Sequence, residues 1–371
     1  MDFSSLAKFL DQRDKNQIPS CRMAVYREHE CLFSYEDAFS EEDRSKDLYY
    51  LFSASKVITC TAVLQLIEAG KLGLFDNAEK YLPAFADVKV RRDGKLEPAK
   101  RKITVHQLLT MTAGLTYNLG DEAIRKMQAE TDHKGTTRQV ADAIAQMPLI
   151  FEPGEKFNYS LCHDVLAAIV EVVSGQTFGE YLSEHIFAPL GMKDTGFKPT
   201  EEALARMTQQ FLVNQHLQAA VPQAPSCPYR ITENHESGGA GMISSLNDYC
   251  LFADALASGS AKNGYQLLKP QTVDLFRADH LTPQTYASFC SINRTGYSYG
   301  LGVRTMIDPK AANTKAPVGE FGWDGAAGAY VLIDPDNKLS IVYMQHVLGC
   351  GPAYNQIHPA LRNRVYDILK G

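Results

Sequence analysis

From residue 3 to residue 14 the apolar positions Phe3, Leu6, Phe9 and Leu10 fall on one side of a 3.6-residue period, which predicts a short amphipathic helix. The stretch "CRMAVYREHECLFSYEDAF" alternates instead and predicts two strands joined by a polar turn near Glu28 to Glu30. A helix is predicted to start at Ser53. It runs through Val57, Ile58, Val63, Leu64 and Ile67 and stops at Gly70. In "TVHQLLTMTAGL" Thr104 is the expected N-cap, and "SLCHDVLAAIVEVVSG" ends at Gly175. Strand patterns return late, in "YSYGLGVRTMI" and in "AYVLIDPDNKLSIVYMQHV", the latter a hairpin turning at Asp334-Pro335-Asp336-Asn337. The pattern "HPALRNRVYDILK" predicts a closing helix.

Strands at both ends with helices between them predict an α+β fold, its sheet assembled from the two termini and interrupted by a helix-rich insertion. The expected division is residues 1–75 and 238–371 for the sheet domain and 76–237 for the insertion. Ser53 then stands where the first strands hand over to the insertion, in the kind of cleft where ligands bind.

The 371-residue chain buries an ample core, and its 45% hydrophobic and 22% charged residues are those of a globular protein. A net charge of −6 argues against nucleic-acid binding. The densest basic stretch, Lys89 to Lys102, also holds Asp93 and Glu97 and is expected to be a solvated loop. Eight scattered cysteines without a C-x-x-C pair suggest reduced core residues, not a zinc or dithiol site, and the histidines form no metal-binding set. No stretch approaches the roughly 20 apolar residues of a membrane span. The charged beginning "MDFSSLAKFLDQRDKNQ" does not read as a signal peptide, so a cytoplasmic protein is expected.

"YYLFSASKVITC" places Ser53 and Lys56 three residues apart, so that on a helix they share a face. The same spacing recurs at Ser5 and Lys8 in the first helix, so spacing alone does not make a site. Two later stretches decide the matter. In "EKFNYSLCHDVL", Tyr159-Ser160 is expected to open a helix after the turn Pro153-Gly154. In "EFGWDGAAGAY", small residues and glycines surround Trp323 and precede a strand.

The ordered set S-x-x-K, Y-S-x and W-x-G resembles the serine β-lactamase and penicillin-binding-protein superfamily. It is most similar to the branch holding class C β-lactamases, D-alanyl-D-alanine carboxypeptidases and related esterases. "ITVHQLLTMTAGL", "APLGMKDTGF", "SGGAGMISSLNDYCLFADAL" and "YGLGV" add to the likeness, which spans roughly residues 20 to 365. The resemblance implies a β-lactamase/transpeptidase-like fold and an acyl-enzyme on Ser53, activated by Lys56 and Tyr159. A free tyrosine is only about 0.1% phenolate at neutral pH, and a nearby cation favours that form. Either Tyr159 or Lys56 can take the serine proton, and the two form one titrating unit. The backbone N–H groups of Ser53 and Ala326 are the implied oxyanion donors. Leu161, Trp323, Asp324 and Gly325 are the implied substrate contacts, with His163 and Asp164 as further candidates. His235 and Glu236 read as loop residues. No cofactor and no metal are implied.

Two departures shift the expected substrate. Where the branch usually carries asparagine this chain has Leu161, and where it carries a cation it has Trp323. Both remove partners for the amide and carboxylate of penicillins and D-Ala-D-Ala peptides, and Asp324 is expected to repel an anion. Arg294, Arg362 and Arg364 are the candidates to replace the missing charge. The expected activity is a carboxylesterase acting on small, neutral, fairly apolar esters. A β-lactamase or D-Ala-D-Ala carboxypeptidase is the alternative, and a non-catalytic penicillin-binding-like protein the third reading.

Overall fold

The computed structural model describes residues 1–290 and 295–370. Its main sheet has seven strands: β1 (Cys21–Arg27), β2 (Glu30–Asp37), β3 (Tyr297–Tyr299), β4 (Arg304–Met306), β5 (Phe321–Asp324), β6 (Tyr330–Asp334) and β7 (Leu339–Met344). They lie in the order β2-β1-β7-β6-β5-β4-β3, with every neighbouring pair antiparallel. Both ends of the chain therefore build one sheet, as the alternating segments predict.

Successive side chains of a strand face opposite sides, and the sheet separates two cores accordingly. Met23, Val25, Leu332 and Ile341 pack with Leu6, Leu10, Leu361 and Val365 of the two terminal helices. Ala24, Val331, Ile333 and Val342 face the larger core with Tyr249, Phe252 and the central helix Ser55–Glu68. Eleven of that helix's fourteen residues are buried, as expected of a helix apolar nearly all round.

Local chemistry sets the element ends. Thr104 and Gln107 form a reciprocal capping box. Gly175 ends its helix at φ +76°, a left-handed conformation that costs glycine nothing. At the β6–β7 turn the Asp334 carboxylate accepts from the Asn337 backbone N–H at 3.1 Å and from its amide at 2.6 Å. The first helix is Ser4–Asp11, shorter than its apolar period, because the Arg13 guanidinium donates to Leu10 O at 2.8 Å and to Ile18 O at 2.9 Å and turns the chain back.

Two local expectations need correction. Residues Lys89 to Pro98 form a small hairpin, not a loop: Val90 is buried within it, and the buried Glu152 carboxylate accepts from the Arg92 side chain and the Lys100 N–H beside it. "YSYGLGVRTMI", where strand patterns return, forms the β3–β4 hairpin. Gly302 turns it at φ +90°, where a Cβ would meet Cys60 Sγ at 2.2 Å. The helix expected from Tyr159 begins at Cys162. All eight cysteines are free, and five are buried, but Cys31 and Cys290 are exposed and Cys227 is half-buried. Among the described residues, no helix is long and apolar enough to cross a membrane.

Candidate active site

Ser53 lies in a single 3₁₀ turn, Phe52–Ala54, that leads into the central helix; that helix begins at Ser55 and not at Ser53. Phe52 itself has φ +48°, a conformation unfavourable by about 1–2 kcal/mol for a residue with a Cβ. Packing enforces it, because the ring is fully buried and meets Tyr229 edge-on with centroids 6.0 Å apart. A short pair of strands, Leu48–Tyr50 with Ile243–Ser245, brings the chain around Gly239 alongside. Leu51 N–H donates to Met242 O at 2.9 Å and the Ser55 hydroxyl accepts from Met242 N–H at 3.3 Å.

That pairing surrounds Lys56, which is 0% exposed. Its ammonium nitrogen lies 3.3 Å from Ser53 Oγ, 3.0 Å from Tyr117 Oη and 2.6 Å from Gly239 O. An ammonium has three donors, and each here has an oxygen. The second S-x-x-K differs: Ser5 and Lys8 are both exposed on the terminal helix.

Tyr159 arrives from the insertion on a segment held against residues 111–116. Asn158 N–H donates to Met111 O and its side chain to Leu115 O, both at 2.8 Å. The Tyr159 ring stacks on Tyr117 and on Trp323, with 5.6 Å between centroids in each case, and Lys56 Nζ stands 4.7 Å from its centre. Trp323 Nε1–H donates to Tyr159 Oη at 2.9 Å. Indole nitrogen is a donor only, so the Tyr159 oxygen is the acceptor there. Burial, then the neighbouring Tyr159, push the Tyr117 phenol well above its ordinary pKa, which keeps its hydroxyl protonated.

These groups line a cleft of about 600 Å³ formed by Ser53, Tyr117, Tyr159, Tyr229, Trp323, Asp324, Gly325, Ala326 and Tyr354. Five of the nine are aromatic, and none is a cation. The hairpin turn Gly325–Gly328 forms one rim. Gly325 has to be glycine there, since a Cβ would lie 2.2 Å from Leu51 O. Among the described residues no carbonyl or side chain takes up the Ala326 N–H.

The sequence-predicted residues divide into two groups. Ser53, Tyr159, Trp323, Asp324, Gly325 and Ala326 line the cleft with Lys56 directly behind. Leu161, an implied substrate contact, and His163 and Asp164, the further candidates, do not line it; all three are buried where the helix from Cys162 turns into the core. His163 Nε2 lies 3.1 Å from Cys60 Sγ, and burial followed by the Lys56 charge keeps the imidazole neutral. Asp164 is 3.3 Å from His235 Nε2 and accepts from the Ser237 hydroxyl at 2.6 Å. Burial raises its pKa, but the His235 and Ser237 contacts and the Lys56 charge outweigh it and leave a carboxylate. It steadies the Gly238–Ala240 segment whose Gly239 carbonyl binds Lys56. His235 and Glu236 are loop residues, yet both are anchored: Glu236 accepts from Gly179 N–H at 2.7 Å.

Asp324 does not act as a bare repelling charge. Arg304 Nη1 donates to it at 3.0 Å, and both side chains are buried. Arg362 serves Tyr297 Oη and Ala312 O beside a separate cavity, and Arg364 lies over Phe9. Arg294 is outside the described residues. Tyr117, Tyr229 and Tyr354 were not foreseen. Tyr117 follows two residues after the quoted "TMTAGL", close enough for that stretch to have pointed to it, whereas the loop around Tyr229 and the helical turn around Tyr354 carry no comparable signal.

The chain has relatives among known proteins and solved structures. Protein Rv1367c of Mycobacterium tuberculosis is 30% identical over 313 residues, 81% of this chain and 77% of its own. Esterase EstB of Burkholderia gladioli is 27% identical over 401 residues, 99% of this chain and 96% of its own. Among solved structures, the unliganded selenomethionyl simvastatin synthase LovD of Aspergillus terreus superposes with a TM-score of 0.81 at 22% identity, covering 99% of both chains. Residues 6–358 match the Beta-lactamase family over nearly the whole chain, and the protein belongs to that family.

Proposed function

We propose that the protein is a carboxylesterase that works through an acyl-enzyme on Ser53. The observation that carries this reading is a buried Lys56 with its ammonium nitrogen 3.3 Å from Ser53 Oγ, beneath an aromatic cleft whose lining, among the described residues, holds no cation. The name of the esterase relative, aligned over nearly the full chain, supports it.

In this reading Ser53 Oγ attacks the ester carbonyl carbon while the Lys56–Tyr159 pair takes the hydroxyl proton. The carbonyl oxygen becomes an oxyanion held by the N–H groups of Ser53 and Ala326. Collapse of the tetrahedral intermediate expels the alkoxide, which receives the proton from the same pair. Water then attacks the acyl-enzyme by the reverse sequence, releasing the acid and regenerating Ser53. Trp323 holds the Tyr159 oxygen in place for both proton transfers, and Tyr117 holds Lys56.

A charge-assisted hydrogen bond is worth about 1.5–3 kcal/mol, roughly ten- to a hundredfold in rate or affinity. With no such partner for a substrate carboxylate among the described residues that line the cleft, p-nitrophenyl butyrate is expected to show a kcat/KM at least tenfold above that of nitrocefin or a D-Ala-D-Ala peptide. Faster turnover of nitrocefin would replace the esterase reading with the β-lactamase one and leave Ser53 as nucleophile.

A further inference from the structure

We infer that Tyr354 is a positioning residue for the Ala326 peptide, the second oxyanion donor of the proposed reaction. The inference rests on the acyl-enzyme reading and goes beyond it, since no proton-transfer step uses Tyr354.

Tyr354 stands on a single π turn, Ala353–Ile357, that precedes the closing helix. Its hydroxyl oxygen is 2.8 Å from both Gly325 O and Ala326 O. One proton is thus shared between two successive carbonyls of the cleft rim. The other two carbonyls of the turn are also held from the far side. Ala327 O accepts from Val347 N–H at 2.9 Å, and Gly328 O lies 3.2 Å from His358 Nε2. Gly328 N–H closes the turn onto Gly325 O at 2.9 Å. Every carbonyl from Gly325 to Gly328 therefore has a donor.

In a trans peptide the C=O of one residue and the N–H of the next point in opposite directions. Anchoring Gly325 O on Tyr354 turns the Ala326 N–H away from Tyr354, and rotating that peptide breaks the bond. The opposite side is equally confined, because Gly325 packs directly on Leu51, two residues before Ser53. The donor is thereby clamped between the nucleophile's own turn and the Tyr354 hydroxyl. Such a donor acts on the charge that develops in the transition state, not on the ground-state ester. Tyr354 also lines the cleft, and mutation can remove its hydroxyl while keeping its ring.

The test is Tyr354→Phe, which keeps the ring and removes the hydroxyl, with Asn355→Ala as a control on the same turn but exposed and away from the rim. Hydrolysis of p-nitrophenyl butyrate, inhibition by phenylboronic acid (whose tetrahedral adduct presents an oxyanion-like oxygen) and melting temperature are measured for each. Tyr354→Phe is expected to lower kcat about tenfold or more, leave KM within twofold, and weaken the boronic acid by the same factor as kcat. Asn355→Ala should leave all of these within twofold. A Tyr354→Phe enzyme with kcat and boronic-acid affinity within twofold of wild type would overturn the assignment. So would an equal loss in Asn355→Ala, or a loss expressed in KM and melting temperature alone. Fluorophosphonate labelling of wild-type Ser53 keeps the two readings apart. If Ser53 is labelled and Tyr354→Phe is unimpaired, only the positioning role falls; if Ser53 is not labelled, the acyl-enzyme falls and this role with it.

Discussion

Lys56 is the residue on which the site's electrostatics turn. A buried ammonium is costly unless each of its donors is met, and here Ser53, Tyr117 and Gly239 supply the three oxygens. Tyr117 and Tyr159 consequently have different tasks although their rings stack. Tyr117 keeps its proton and fixes the cation, whereas Tyr159 accepts from Trp323 and, in the proposed reaction, moves a proton. Tyr159→Phe should lower kcat by about 10²–10⁴, and Tyr117→Phe by about 10-fold to 10²-fold, as expected for loss of one hydrogen bond to a charged group. Steady-state hydrolysis of p-nitrophenyl butyrate at pH 7 measures both. An equal loss in the two variants would move Tyr117 into the proton relay, and a near-wild-type Tyr159→Phe would demote Tyr159 to packing. Ser53, Lys56 and Tyr159 were legible in the sequence because a fixed i, i+3 spacing and the order of three motifs single them out. Tyr229 and Tyr354 were not, because one reaches the cleft from a loop and the other from a turn ahead of the predicted closing helix, and only the finished fold brings either to Ser53.

At the level of elements, hairpins and capped helices were readable where local chemistry dictates them, as at Asp334–Asn337, Thr104 and Gly175. Pairings between distant segments were not. The strand pair that brings Gly239 to Lys56 joins residues almost two hundred positions apart, and nothing in either short stretch announces its partner. A second such junction contains His346. Gln210 Oε1 accepts from Gln223 Nε2 and Ser226 N–H, so the Gln210 amide nitrogen must face His346 Nε2, at 3.0 Å. That nitrogen is therefore an acceptor, and Nδ1 carries the proton toward Thr208. Protonation would set two donors against each other, and burial already depresses this imidazole to about 4. Between about pH 6.5 and 4 the unfolded chain then binds a proton that the folded chain does not. The stability this neutral histidine contributes is complete above about pH 6.5 and is lost as the pH falls toward 4. The slope is about 1.4 kcal/mol per pH unit. Urea unfolding at pH 6.5, 5.5 and 4.5 should show His346→Gln losing stability less steeply than wild type by that amount. Parallel curves would mean that His346 is not held neutral.

For the whole molecule, one antiparallel sheet shared by both termini divides two cores and presents the β5–β6 turn to the start of the central helix. The alternating segments at the two ends made this plan legible, whereas the order of strands depends on which faces the terminal helices cover. The candidate site gathers Ser53 and Lys56 from the central helix and the turn before it, Tyr159 from the segment just before the helix Cys162–Ser174, and Ala326 from the β5–β6 turn. The central claim is that this junction forms a covalent acyl-enzyme on one serine. Intact-mass spectrometry with peptide mapping after treatment with a fluorophosphonate tests it directly. A single adduct on Ser53 is expected, abolished in Ser53→Ala and unchanged in Ser5→Ala. Stoichiometric labelling that survives Ser53→Ala would contradict the account.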